Sequence, residues 1–250
     1  MGTFAEEQSQ GLAEIYEKAA KDIMGDLQLV LHEPELSPGA TELERFAKID
    51  HGWYRSTTKA LEEKGFRVLR DLDGTPLTAK GSPPPAIRVL LSGDGRSSAA
   101  LYHVMPRSPG FFMKSLLFLM GKWQTARIVE LTSYDESNRV WITVNQGDVN
   151  PFASAPNVSR RHLPIKTGLA ALLEAHQSHL AGATAPLRTF RGFEDLDAAR
   201  RAQREVQNQW RNQVGLLKEE LDRMLAPHGK HGEAIRPYLE RALKLRDLRG

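Results

Sequence analysis

Two strand–turn–strand patterns between residues 66 and 145 constrain the fold of this chain more than any other feature. Ile87 to Leu91 is a short apolar run, Ser92-Gly93-Asp94-Gly95 is a turn signal, and Ser98 to Met105 resumes an extended pattern. Asp-Gly supplies the positive φ angles that tight hairpin turns demand. Ala126 to Ser133 and Arg139 to Asn145 repeat the pattern around a polar turn at residues 134–138. With the alternating stretch from Phe66 to Leu72 ahead of them, these segments predict an antiparallel sheet of about five strands, in two hairpins, in the middle of the chain.

Helical periodicity brackets this sheet on both sides, so the predicted class is α+β, with N-terminal and C-terminal helices covering the strands. In the first 31 residues Leu12, Ile15, Tyr16, Ala19, Ile23, Leu27 and Val30 recur every three or four positions. A second helix is expected from Thr41, where Thr41 and Glu44 form a capping box, to about Lys64, closed by Gly65. The stretch 74–85, with four prolines and two glycines, is a loop, and 150–164 is expected to be irregular. Helices follow at Thr167 to Ala181, at Phe193 to Leu225 along the stripe Val206, Trp210, Val214, Leu217, Leu221 and Met224, and at Glu233 to Leu248. For the last, Pro237 is a first-turn residue or a kink. The domain organisation expected is an α+β domain over residues 1–186 and a C-terminal helical hairpin over 187–250. No repeat of solenoid period is present.

Composition removes whole classes of chemistry. The 250 residues include no cysteine, which excludes disulfides, thiolate metal sites and thiol nucleophiles. Residues 1–80 hold ten Lys/Arg against fifteen Asp/Glu, whereas residues 187–250 hold fourteen against ten. An acidic front and a basic rear suit self-association or a charged partner and say little about fold. The first residues carry several glutamates and lack the apolar stretch of a signal peptide, so the expected location is the cytoplasm.

The most unusual stretch is 109–123, framed by Ser108 and Pro109 at its start and Gly121 near its end. Phe111, Phe112, Phe118 and Trp123 with Leu116, Leu117 and Leu119 spread apolar surface over nearly all its sides. It is too short to span a bilayer, which takes ~20 apolar residues. Its first expected role is a connector packed across the sheet; the alternatives are a docking face and in-plane contact with a membrane. Arg200, Arg204, Arg211 and Lys218, spaced by 4, 7 and 7 residues on one expected helix, fall within about 40° of one another and form a basic ridge. A solvated helix face is the plain interpretation; contact with a protein, a nucleic acid or an anionic surface is the functional one.

Histidines supply the other candidates. His176 and His179 stand at i and i+3 on one helix, and His228, His231 and Glu233 cluster in a turn, yet neither group completes a metal ligand set, so no metal or cofactor is expected. Asp71-Leu72-Asp73-Gly74 opens like a calcium loop but has Pro76 and Ser82 where glycine and glutamate are required. Asn157-Val158-Ser159 matches a glycosylation sequon, without meaning in a chain that is not secreted. His103, in the second hairpin strand, would need Glu130 or Asp148 beside it to act as an acid/base group. The expected function is therefore a non-enzymatic interaction or adaptor protein, binding a protein partner through 109–123 or the ridge at 200–218. The alternatives are a metal-independent hydrolase using His103 with a carboxylate, and a binder of nucleic acid or an anionic surface.

Overall fold

A computed structural model describes residues 14–18, 20–21, 41–75, 85–104, 126–147, 152–226 and 229–247, with side chains in the last helix described to Arg241. It contains two compact units: residues 33–150 with 154–210, and residues 1–32, 151–153 and 211–250.

The larger unit holds one six-stranded sheet in the order β1 to β6: β1 (Arg67–Asp73), β2 (Ala86–Leu91), β3 (Ser97–Val104), β4 (Ala126–Tyr134), β5 (Val140–Val144) and β6 (Val158–His162). The expected α+β class holds, and β1 to β5 form the antiparallel meander that the hairpin patterns dictate. The sheet is nevertheless mixed and has six strands rather than five, because β6 pairs parallel to β5, Val140 facing Val158 and Val144 facing His162. Residues 145–157 provide the return path, the dozen or so residues that a parallel connection needs. Val-Ser-Arg-Arg-His carries no apolar alternation, so nothing local in the sequence announces this strand.

Both faces of the sheet are covered. The run Ala86–Leu91 is buried at five of six positions, and Val140–Val144 at all five, which is the signature of strands with no solvent face. On one face α1 (His51–Glu62) and α2 (Leu169–Leu180) bring Tyr54, Leu61 and Leu172 onto Leu90, Ala99, Leu101, Val129 and Leu131. On the other, the first turns of α3 (Phe193–Val214) bring Phe193, Leu196 and Ala199 onto Ile87, Val89, Leu91, Val140 and Ile142. Tyr54, fully buried, donates its hydroxyl to the Ala86 carbonyl at 2.5 Å and accepts the His103 amide at 3.0 Å, tying α1 to two strands. Beneath the same helix Arg88 grips its cross-strand neighbour Asp71 through two bonds of 2.7 and 2.8 Å. Asp71 is thus spent on an ion pair and Asp73 on the Thr75 amide and hydroxyl, a turn as expected.

Helix placement departs from expectation at three points. The expected helix from Thr41 is a single 3-10 turn at Leu43–Arg45, and α1 begins only after Asp50, whose carboxylate accepts the Trp53 amide at 2.9 Å. The expected helix Phe193 to Leu225 breaks in two, because Gly215 adopts φ +62° and α4 (Lys218–Leu225) starts anew. The last helix, α5 (Gly229–Asp247), begins earlier than expected and holds Pro237 in its interior. Most of the first expected helix lies outside the described residues; 14–18 and 20–21 are helical.

The smaller unit has its own apolar cluster of Ala20, Leu221, Leu225, Ile235 and Leu239, with Tyr16, Phe152 and Tyr238 packed against it. Its ionic centre is Arg211 with Glu220, joined at 2.7 and 2.9 Å and 2% and 0% exposed. Glu220 also accepts the Ala153 and Leu217 amides, and Arg211 donates to the Ala153 and Gly215 carbonyls.

Candidate functional site

Of the residues nominated from the sequence, Phe111, Phe112, Phe118 and Trp123 lie outside the described residues. The basic ridge does not exist as one face of one helix. Arg200 pairs with Asp197 at 2.9 Å, Arg204 is half-buried, Arg211 is locked inward on Glu220, and Lys218 belongs to the helix beyond the break. His103 is 6% exposed; its Nδ1 accepts the Asp50 amide at 3.2 Å and its Nε2 has no partner. Glu130 is directed to the other face of the sheet, where it meets Arg160 at 3.8 Å, and Asp148 is outside the described residues. The carboxylate that faces His103 is that of Asp50, itself held at 2.5 Å by Arg127. Burial, opposed by Asp50 and aided by Arg127, lowers the His103 pKa.

His176 and His179 have a more specific environment than their spacing implied. Four neighbouring strands each offer one hydroxyl to the face under α2: Ser97, Ser133, Thr143 and Ser159. The imidazoles link them into one chain. Ser97 Oγ meets Ser133 Oγ at 2.8 Å, Ser133 Oγ meets His176 Nε2 at 3.0 Å, and His176 Nδ1 meets Thr143 Oγ1 at 3.0 Å. Thr143 Oγ1 meets His179 Nδ1 at 3.1 Å, and His179 Nε2 meets Ser159 Oγ at 2.8 Å. The i, i+3 spacing places both rings on the helix face turned to the sheet, and the two-residue strand period brings a hydroxyl beneath each.

Both imidazoles are held neutral. Burial, and to a lesser degree His179 alongside, pushes the His176 pKa down to about 4, and burial with Arg161 lowers that of His179. A neutral imidazole has one donor and one acceptor, and a hydroxyl has one proton to give. Thr143, fully buried between the two Nδ1 atoms, satisfies its own proton only by donating to one ring and accepting from the other. The chain therefore has two self-consistent directions. In one, Ser97 starts the donation and Ser159 accepts at the end; in the other, Ser159 donates to His179 and every bond reverses.

Ser159, the end of this chain, lines a cavity of about 260 Å³ together with Arg139, Trp141, Pro156, Asn157 and Val158. Trp141 forms its inner wall: the ring meets His179 edge-on at 5.2 Å, and its indole N–H points to Asp135 at 3.5 Å. Asp135 is fully buried, and burial alone would raise its pKa. Hydrogen bonds from Ser137, the Arg139 amide and Trp141 outweigh that and keep the carboxyl below its ordinary range. On the rim, Asn157 donates to the Asn138 carbonyl at 2.9 Å and to Gln203 at 2.7 Å, while its own carbonyl oxygen is buried without a partner. Arg139 is the cation among the lining residues, and among the described residues no carboxylate forms an ion pair with its side chain.

No protein-family model, no curated protein and no solved structure matches the chain. The residues alone carry the functional argument. No cluster of three ligating side chains occurs among the described residues; His231 meets Tyr16 at 3.4 Å, and His228 lies outside the described residues. No helix among them is long and apolar enough to cross a membrane. The sequence contained one pointer to the cavity: three of its lining residues make up the sequon Asn157-Val158-Ser159, which as a modification signal carried no structural information.

Proposed function

We propose that the protein is a binding protein whose cavity at the β5–β6 edge takes a carboxylate attached to a small apolar body. The single observation that carries this is the cavity's lining, in which a cation, Arg139, shares a space of about 260 Å³ with Trp141, Pro156 and Val158, and no carboxylate is present. Arg suits planar bidentate recognition of a carboxylate, and the Asn157 and Ser159 side chains offer further polar contacts. The volume suits a fragment-sized group, below the usual span of drug-sized pockets. A protein partner, the kind of partner the sequence led us to expect, would present the group as an acidic side chain or chain end.

Benzoate is the direct probe and benzamide its neutral control. At ~0.45 kcal/mol per non-hydrogen atom, benzoate binds with a Kd of about 1 mM, and at ~10 mM it raises the unfolding temperature by about 3 °C. Arg139→Ala is expected to abolish the difference between benzoate and benzamide while leaving the unliganded transition unchanged. Equal stabilisation by the two compounds, or retention of the benzoate effect in Arg139→Ala, refutes the proposal.

A further inference from the structure

The Ser159–His179 pair supports a second kind of chemistry in the same cavity, and it rests on the proposed binding only in requiring that the cavity admit small molecules. Nucleophilic catalysis by serine needs a hydroxyl within hydrogen-bond reach of a neutral base, a third group that orients the base, and access for the electrophile. Ser159 Oγ lies 2.8 Å from His179 Nε2, Thr143 Oγ1 lies 3.1 Å from His179 Nδ1, and Ser159 lines the cavity. The geometry points to Ser159 as a nucleophile toward activated esters of small organic acids, with His179 as its base.

One of the two hydrogen-bond directions is the reactive one. When Ser159 donates to His179 Nε2, His179 Nδ1 carries the ring proton and gives it to Thr143, Thr143 donates to His176 Nδ1, His176 Nε2 donates to Ser133, and Ser133 donates to Ser97. Every buried donor then has an acceptor, so in this direction the remote hydroxyls and His176 support the tautomer that leaves His179 Nε2 free to take a proton, while the reverse direction, equally satisfied, is the resting alternative that places the proton on Nε2. Burial keeps the ring uncharged and available at neutral pH. In the reaction the Ser159 Oγ–acyl carbon bond forms, the Ser159 proton passes to His179 Nε2, the carbon–oxygen bond to the leaving group breaks, and that oxygen receives the proton. Water then gives a proton to His179 Nε2 as its oxygen bonds to the acyl carbon, the Ser159 Oγ–acyl carbon bond breaks, and Oγ takes that proton back, releasing the carboxylic acid, the class of molecule proposed above as the ligand. Thr143 and His176 are positioning residues, since they act through His179.

Diisopropyl fluorophosphate tests this on the full chain. Its phosphorus bonds to Ser159 Oγ, fluoride leaves, and the proton passes through His179 to solvent. Peptide mass spectrometry is expected to find one phosphoryl adduct, on Ser159. His179→Gln is expected to slow its formation by ~10²-fold or more, the scale of a positioned base, and Thr143→Val to slow it while His179 itself is retained. Circular dichroism keeps the variants comparable: only those with the native spectrum and melting transition are scored, and His179→Asn is the substitute if His179→Gln fails to fold. No adduct on Ser159, under conditions that label a serine esterase, overturns the inference, as does equal labelling in a folded His179 variant. Labelling without benzoate binding would sink the carboxylate site and leave the nucleophile standing; binding without labelling would do the reverse.

Discussion

The Arg211 and Glu220 side chains are 2% and 0% exposed, and charges so far from water persist only when each lone pair and proton is satisfied. Glu220 is satisfied by Arg211 and by the amides of Ala153 and Leu217. Glu220→Gln leaves Arg211 charged and uncompensated and is expected to destabilise its unit by about 3–5 kcal/mol in urea unfolding. Burial would raise the Glu220 pKa, but Arg211 and the two amides outweigh it and hold it down. Its contribution is therefore present above the ordinary carboxylate range, near 4.5, and is lost as pH falls below that. His176 acts at higher pH. Its folded pKa is about 4 against an ordinary 6.5, so between those values the unfolded chain binds a proton that the folded chain refuses. Stability should fall by about 3 kcal/mol as pH drops through that window. Urea midpoints at pH 7 and pH 5 check this, and His176→Leu should be less stable at pH 7 yet show a smaller difference between the two, the remainder coming from His179 and His103, whose pKa values burial also lowers.

Among elements, the first hairpin was the most legible in the sequence, and its turn shows why. Gly95 has φ +72°, and a Cβ there would stand 2.5 Å from the Phe190 carbonyl oxygen, which belongs to the segment that bonds back to Gly95 O through the Phe190 amide at 2.8 Å. Gly95→Ala should cost roughly 1–3 kcal/mol, the scale of a forced left-handed residue, and the backbone contact places it at the upper end. Chemical denaturation measures it, and a cost below ~0.5 kcal/mol would show that the 190 segment does not press on the turn. β6 was illegible for the opposite reason. Its alternate positions carry Ser159, Arg161, Arg160 and His162, so its partners are polar and distant in sequence rather than a periodic apolar stripe. The long helix was over-read because the stripe Val214, Leu217, Leu221 continues in period across Gly215, and only the backbone angle of that glycine breaks it. A basic ridge drawn on that helix inherited the same error, because Arg211 turns inward to Glu220, nine residues on and beyond the break.

At the scale of the whole chain, the class and the five-strand meander follow from period-two patterns and turn residues, which act over a few positions. The candidate site follows from register, which does not. Ser97, Ser133, Thr143 and Ser159 are scattered over 63 positions and become one chain only because four strands stack them beneath two histidines of α2. The cavity likewise needs β6 beside β5, since its lining combines Arg139 and Trp141 with residues 156–159. Trp141 is the natural reporter, because its indole ring forms part of the cavity wall and its N–H is directed to Asp135. The most direct measurement is the indole resonance of Trp141, assigned with Trp141→Phe, followed by nuclear magnetic resonance through a benzoate titration. A carboxylate site at Arg139 requires that this resonance shift saturably with a Kd of about 1 mM, and that the shift vanish in Arg139→Ala. A Trp141 resonance that stays fixed while benzoate reaches saturating concentration would contradict it.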